Sequence, residues 1–384
     1  MRIGILGGTF NPIHNAHLEM ARFARAAASL DRVLFMVAAN PPHKRVEDDV
    51  PAEERFDLVR LAVRDEAGVE ACDMELKRSG KSYTCETLRE LKRTSPEAEL
   101  FLIVGSDMLQ DMTDWFHPAE IFGLAEVLCV RRRGLEDGDE AAAAELRRRF
   151  GARITVLNER AAPISSTEVR ERLCDGLDVS GLLPESVEQA CYESGVYFPE
   201  DVRRMQERCR AALNPKRYTH TAGTMRAAAM LAGAWGVDPK RARVAALLHD
   251  CAKCLDPVTQ RVLSGDDEDV DAVDHAFAGA VLARMEYGVT DDGILRAIRL
   301  HTTGDEGMEP FDAAIYAADL IEPNRTFPGV EEYRKRVSLG PDEFMRYALG
   351  NVERFLERSD KALHPATRRA AAYYENKKKT EGNH

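Results

Sequence analysis

Ile3-Gly4-Ile5-Leu6-Gly7-Gly8-Thr9-Phe10-Asn11-Pro12-Ile13-His14-Asn15-Ala16-His17 decides how the chain is read. A short β-branched apolar run turns into two glycines and then opens a helix. The glycines let backbone approach a phosphate closely, and the helix N-terminus offers free N–H groups and the positive end of its dipole. His14 and His17 are three residues apart and share one face of that first turn. Two imidazoles so placed can hydrogen-bond a pentavalent phosphate and its leaving group.

Working outward, Val33–Val37, Leu100–Val104, Glu126–Val130 and Arg153–Leu157 repeat the apolar strand pattern. Helical periodicity fits Leu18–Ser29, Ala52–Asp65, Cys85–Thr94 and Ala141–Phe150. Strands separated by helices predict a Rossmann-like α/β domain with a parallel sheet, whose ligands sit beyond the carboxyl ends of the strands. Ile164-Ser165-Ser166-Thr167-Glu168-Val169-Arg170 follows the last strand and starts a helix. Its three hydroxyls, free N–H groups and Arg170 one turn in make a polyphosphate clamp, or else a plain helix cap with a solvated arginine.

Past Gly195-Val-Tyr-Phe-Pro199 the pattern changes. Eight alanine-rich helical stretches follow between Arg203 and Asn376 without a strand run, which predicts an all-α helical bundle. The domains are read as 1–197 and 198–376, with a polar, frayed tail at 377–384. Within the bundle, His220, His249, Asp250, His275, His301 and Asp319 each fall at or near a helix end. The four histidines are spaced 29, 26 and 26 residues apart, one per helix. Imidazoles and carboxylates are ligands for transition metals, and six can hold two ions with positions open to water.

Composition frames these sites. A length of 384 residues suits two domains at about 100–200 residues each. With 44% hydrophobic and 31% charged residues the chain is a soluble type with ample core material. No stretch approaches the roughly 18–20 apolar residues of a membrane helix, and the N-terminus does not read as a signal peptide. Of the net charge of −12, −10 falls in residues 1–195 and −2 in 196–384, so neither half has the basic excess of a nucleic-acid binder. The eight cysteines are read as reduced thiols in the cytoplasm, the Cys251/Cys254 pair included. The acidic run 266–271 is read as a solvated loop.

The first 195 residues resemble the nicotinate-nucleotide adenylyltransferases, a branch of the nucleotidylyltransferase superfamily with a T/HxGH signature. Beyond the opening motif, the carrying residues are Pro41-Pro42-His43-Lys44, Ser82-Tyr83-Thr84 with Thr87-Leu88, Gly105-Ser106-Asp107 with Trp115, and Arg132. The resemblance implies adenylyl transfer from ATP, with Mg²⁺, to nicotinate mononucleotide, without a protein nucleophile. It implies ATP contacts from Gly7, Gly8, Thr9, Phe10, His14, His17, Ile164, Ser165, Ser166, Thr167 and Arg170. Lys44, Thr84, Asp107, Trp115 and Arg132 would serve the mononucleotide; the lesser alternative for Trp115 is a core anchor. Ala16 stands where the family usually has Gly, which adds a methyl beside the phosphate path. Pantetheine phosphate is the runner-up substrate, and nicotinate is not separated from nicotinamide mononucleotide.

Residues 200–375 resemble the HD-domain phosphohydrolases, more narrowly the YqeK-like symmetrical diadenosine tetraphosphatases. The carrying residues are Arg217-Tyr-Thr-His220, His249-Asp-Cys-Ala-Lys253, Asp274-His275, Arg299-Leu-His-Thr-Thr-Gly304 and Ala318-Asp-Leu-Ile-Glu-Pro-Asn-Arg325. The resemblance implies a dinuclear metal site, with iron as the metal, Asp250 as bridge and diadenosine tetraphosphate as substrate. Lys253, Thr302, Thr303 and Arg325 are its candidate phosphate contacts. Two alternatives stay open: a metal-containing nucleotide-sensing module, and a hydrolase of another nucleotide. RNA cleavage is disfavoured by the charge balance. The oligomeric state is not fixed by the sequence; a homo-oligomer is compatible with it.

Overall fold

Buried β-branched and leucine runs form the centre of the first unit. The computed structural model describes residues 1–41, 50–133, 138–266, 268, 270–359 and 362–381. In chain order the α/β half runs β1 (Arg2–Gly8), α1 (Asn15–Ala27), β2 (Arg32–Val37), α2 (Ala52–Val63), β3 (Val69–Cys72) and α3 (Thr84–Thr94). It continues with β4 (Glu99–Gly105), α4 (Ser106–Asp111), α5 (Pro118–Leu124), β5 (Ala125–Arg132), α6 (Asp139–Phe150), β6 (Ile154–Ala161), α7 (Ser166–Asp175) and α8 (Glu185–Ser194). The strands form one six-stranded sheet in the order β3-β2-β1-β4-β5-β6, every pair parallel. That order reverses direction between β1 and β4, so a crevice opens beyond their carboxyl ends. The expected Rossmann-like parallel sheet is present.

Five of the six strands match runs read from the sequence. β3 does not, because only Val69 of Val69-Glu-Ala-Cys72 is fully buried. No alternation marks it, and pairing with β2 is what makes it a strand. The short helices α4 and α5 also carry too few residues to show a period.

Arg55, on α2, is 1% exposed although it carries a charge. Its guanidinium donates to the carbonyls of Thr9 and Ala38 (3.0 Å for the second) and of Val50 (3.3 Å). It therefore pins the chain just past β1 to the chain just past β2. Such a group is tolerated only because its donors are satisfied.

The second unit is helical: α9 (Glu200–Ala212), α10 (Pro215–Trp235), α11 (Pro239–Leu248), α12 (Pro257–Ser264), α13 (Asp274–Met285), α14 (Asp292–Leu300), α15 (Pro310–Ile321), α16 (Val330–Arg336), α17 (Pro341–Arg358) and α18 (Pro365–Glu381). By contacts it comprises Arg172–Asp178 and Cys191–His384, and the α/β unit comprises Met1–Glu171 and Val179–Ala190. Residues 377–381 of the expected frayed tail continue α18 as helix. Asn214, Asp238 and Asp256 each cap a helix whose next residue is Pro, with side chains accepting backbone N–H groups. Buried alanines line α10, α11, α13 and α15. Their small side chains let α10, α11, α13, α14 and α15 pack closely, which gathers their polar ends around one centre. Among the described residues no helix is long and apolar enough to cross a membrane.

The Arg55 staple predicts that Arg55→Met leaves three carbonyls without their donor. At about 1–3 kcal/mol per buried unsatisfied group, partly relieved by water, a loss of about 3 kcal/mol is expected. In calorimetry the transition of the α/β unit should fall by roughly 6–12 °C. An unchanged transition would show that the loops hold themselves.

Candidate active sites

In the α/β unit, β1 ends in Gly7 and Gly8, and a Cβ on Gly8 would lie 3.1 Å from the ring of Phe10. Glycine there lets Phe10 fold over the strand end, where its ring meets Phe35 and the edge of His17. His14 is the N-cap of α1 and His17 its N3 residue. The two rings stack with centroids 3.6 Å apart, and the backbone N–H of His14 donates to His17 Nδ1 at 3.2 Å. The neutral His17 ring then carries its hydrogen on Nε2. His14 is 1% exposed. Burial, helped by the positive charge of Arg132, pushes its pKa down to about 3, so it is neutral at physiological pH. Ala16 is fully buried on the inner face of α1.

Ser165 caps α7, its hydroxyl accepting the Glu168 N–H at 3.1 Å. From α7, the Ser166 hydroxyl donates to the Pro12 carbonyl and Arg170 to the Asn11 carbonyl, each at 2.8 Å. Thr167 is exposed and Ile164 buried. The two motifs, about 150 residues apart in sequence, therefore meet on one loop at the carboxyl edge of the sheet.

Asp107 follows β4 and Arg132 ends β5, and they approach within 3.6 Å. A Cβ on Gly105 would come within 2.6 Å of Asp107 Oδ1, so that glycine makes room for the carboxylate. Thr84 is the first residue of α3. Ser82 accepts the N–H groups of Ala39 and Asn40, which joins the α3 start to the chain past β2. Trp115 is half-buried against the sheet core, in line with the anchor alternative, and its neighbour Phe116 packs on Tyr83 at 4.3 Å. Lys44 lies outside the described residues.

In the helical unit the six metal-ligand candidates come together. His220 is on α10, His249 caps the end of α11 with Asp250 next to it, His275 is in the first turn of α13, His301 caps the end of α14 and Asp319 is on α15. All four Nε2 atoms surround the Asp250 carboxylate. Oδ2 lies 3.7 Å from His220 and 3.5 Å from His249, while Oδ1 lies 3.3 Å from His275 and 3.8 Å from His301. Two triads, His220/His249/Asp250 and Asp250/His275/His301, each have ligand atoms within 4.8 Å of one another, and Asp250 belongs to both. Asp319 Oδ1 sits 2.9 Å from His220 Nε2. Burial alone raises a carboxyl pKa, yet His249 and His301 hold Asp250 well below the usual range. Burial lowers His220, but Asp319 and Glu322 outweigh it and carry it to about 8. Burial, with the charges of His301 and Lys253, pushes His275 down to about 2.

The imidazoles are oriented from behind. Nδ1 of His249 is 2.7 Å from the Ala246 carbonyl and Nδ1 of His301 is 2.6 Å from that of Ile298, each three residues back. A carbonyl only accepts, so each ring turns its Nε2 inward. Among the candidate phosphate contacts, Lys253 Nζ is 3.0 Å from His275 Nδ1 and Arg325 bonds the Asp319 carboxylate. The Thr303 hydroxyl is fully buried and that of Thr302 is shielded from solvent too; neither has a partner among the described residues. Sequence reasoning gave no separate role to Arg217, whose guanidinium lies 2.7 Å from Asp250 Oδ2, or to Glu322. The ligand set fits a transition-metal pair by donor type and by its shared carboxylate.

A cytidylyltransferase-like family model matches residues 5–172 and an HD domain model matches residues 217–327. A probable nicotinate-nucleotide adenylyltransferase of Geobacter sp. (strain M21) is 42% identical over 212 residues, covering 51% of this chain and 98% of the relative. One from Gloeobacter violaceus is 40% identical over 197 residues, covering 51% and 96%. A solved Clostridium acetobutylicum structure, described as a predicted HD superfamily hydrolase involved in NAD metabolism, is 32% identical. It covers 46% of this chain and 97% of its own, with a TM-score of 0.43. Through its α/β half the chain belongs to the nicotinate-nucleotide adenylyltransferase family, and its helical half carries an HD domain.

Proposed function

We propose that the chain is a bifunctional cytoplasmic enzyme. Residues 1–197 transfer AMP from ATP to nicotinate mononucleotide, and residues 198–376 hydrolyse diadenosine tetraphosphate to two ADP. Family membership together with the meeting of His14, His17, Ser166 and Arg170 on one loop carries the first activity. Convergence of four Nε2 atoms on Asp250 carries the second.

In the first reaction a phosphate oxygen of the mononucleotide bonds to the α-phosphorus of ATP as the bond to the β-bridging oxygen breaks, and pyrophosphate leaves. The protein supplies position and charge rather than a covalent intermediate. His17 donates from Nε2 to the transferring phosphate beside the neutral His14. The α7 start and Arg170 hold the β- and γ-phosphates, which bring Mg²⁺ with them. Lys44, Thr84, Asp107, Trp115 and Arg132 receive the mononucleotide.

In the helical half the six ligands would hold two metal ions, iron by resemblance to the HD-domain phosphohydrolases, which would supply an acidified water for attack on phosphorus. Asp250 offers one oxygen to each triad. Lys253, Arg325 and the His301-Thr302-Thr303 turn meet the polyphosphate charge. Two three-ligand groups that share one carboxylate, rather than one closed set of four, favour hydrolysis over a structural site.

Three outcomes are expected of the purified protein. His17→Ala should lower nicotinate adenine dinucleotide synthesis by at least 100-fold, as loss of one transition-state donor does, and leave diadenosine tetraphosphate hydrolysis intact. His249→Ala/Asp250→Ala should do the reverse; wild-type hydrolysis in that variant sinks the metal-site reading. His14 should not titrate between pH 5 and 8 by NMR. Its folded pKa lies below the unfolded value, so folding stability is lost as pH falls from about 6.5 toward about 3. That amounts to about 2 kcal/mol between pH 6.5 and 5, read by urea unfolding and missing from His14→Asn. A titration midpoint near pH 6.5 refutes it.

A further inference from the structure

Glu322 ends α15 and is 2% exposed, a buried carboxylate to which the reading above gives no role. Its Oε1 lies 3.1 Å from His220 Nδ1. Its Oε2 accepts the Asn324 N–H at 2.7 Å, so both oxygens are engaged. The turn that presents it is clamped by Arg334, which donates to the carbonyls of Ile321, Glu322, Pro323 and Arg325 at 2.8–3.3 Å. On the opposing helix a Cβ on Gly223 would lie 2.2 Å from Glu322 Oε2. Only glycine at that position leaves the carboxylate its place. Three separate features therefore hold one carboxylate against the back of one imidazole.

Among the described residues His249, His275 and His301 have no such anchor. His249 and His301 bond backbone carbonyls, and His275 is faced by Lys253 Nζ. A carboxylate behind an imidazole fixes the ring orientation and raises its basicity as a ligand more than a neutral carbonyl does. His220 belongs only to the triad with His249 and Asp250. We propose that Glu322 is a positioning residue for His220 and makes the two metal positions unequal, strengthening the His220/His249/Asp250 position alone. This rests on the metal-pair reading.

The test is titration of metal-free full-length protein with Mn²⁺, followed by electron paramagnetic resonance. Wild type should take up two ions and give an exchange-coupled spectrum. In Glu322→Ala one ion should bind 10–100-fold more weakly, the range expected when a ligand's supporting partner is removed. The other should keep its affinity, so that a six-line mononuclear signal replaces the coupled one. Gly223→Ala, which keeps the charge but displaces the carboxylate, should reproduce that selective loss and carries the test if Glu322→Ala does not fold. Two ions bound with wild-type affinities in both variants, or an equal loss at both positions, overturns the proposal. A wild-type protein that binds fewer than two ions overturns the metal-pair reading instead.

Discussion

The helical half is organised around one buried carboxylate. Asp250 is 3% exposed, and an ionised carboxylate in that position has to be matched by nearby positive charge or hydrogen-bond donors. Arg217 meets that demand directly, and the Nε2 atoms of four histidines surround the carboxylate; the four histidines come from four different helices or helix ends, with Arg217 sharing α10 with His220. The arrangement of α10, α11, α13 and α14 thus answers an electrostatic requirement as well as a packing one. The alanines make it geometrically feasible, since larger side chains at those contacts would push the imidazoles beyond reach of a shared carboxylate.

The α/β half depends on a different kind of hub, the loop between β1 and α1. Its carbonyls at Thr9, Asn11 and Pro12 are held by Arg55, Arg170 and Ser166. Those three donors also tie the loop to α2 and to the start of α7. The anion site proposed there, of backbone N–H groups and neutral imidazoles, would need this kind of bracing to stay preorganised. The family relationship and this geometry point the same way.

Much of this is legible in the amino-acid sequence. Buried strands announce themselves as apolar runs, and their alternation with helices predicts a parallel sheet. Histidine and aspartate stand out against alanine-rich helices, so their gathering was foreseeable from composition and spacing. What stayed hidden has physical reasons. β3 is four residues long and takes its identity from a neighbour. α4, α5, α12 and α16 are too short to show a period. Arg55 and Glu322 look like ordinary helix charges, since a lone acidic or basic residue near a helix end is normally solvated. Their roles come from partners 46 and 102 residues away, and no local pattern encodes such distances.

The two halves also show why net charge is a poor guide to anion binding. The half with the larger negative charge is the one we propose to hold triphosphates, through helix N-termini and a few placed donors acting over a few ångströms. The helical half is almost balanced in charge, yet concentrates carboxylates and imidazoles at one point. Screening at physiological ionic strength confines bulk charge effects to about 8 Å. Within that distance the identity and orientation of single groups decide the chemistry. Orientation is settled in the helical half by the Nδ1 partners of His220, His249 and His301, which fix each ring and would reduce the reorganisation that binding a cation requires.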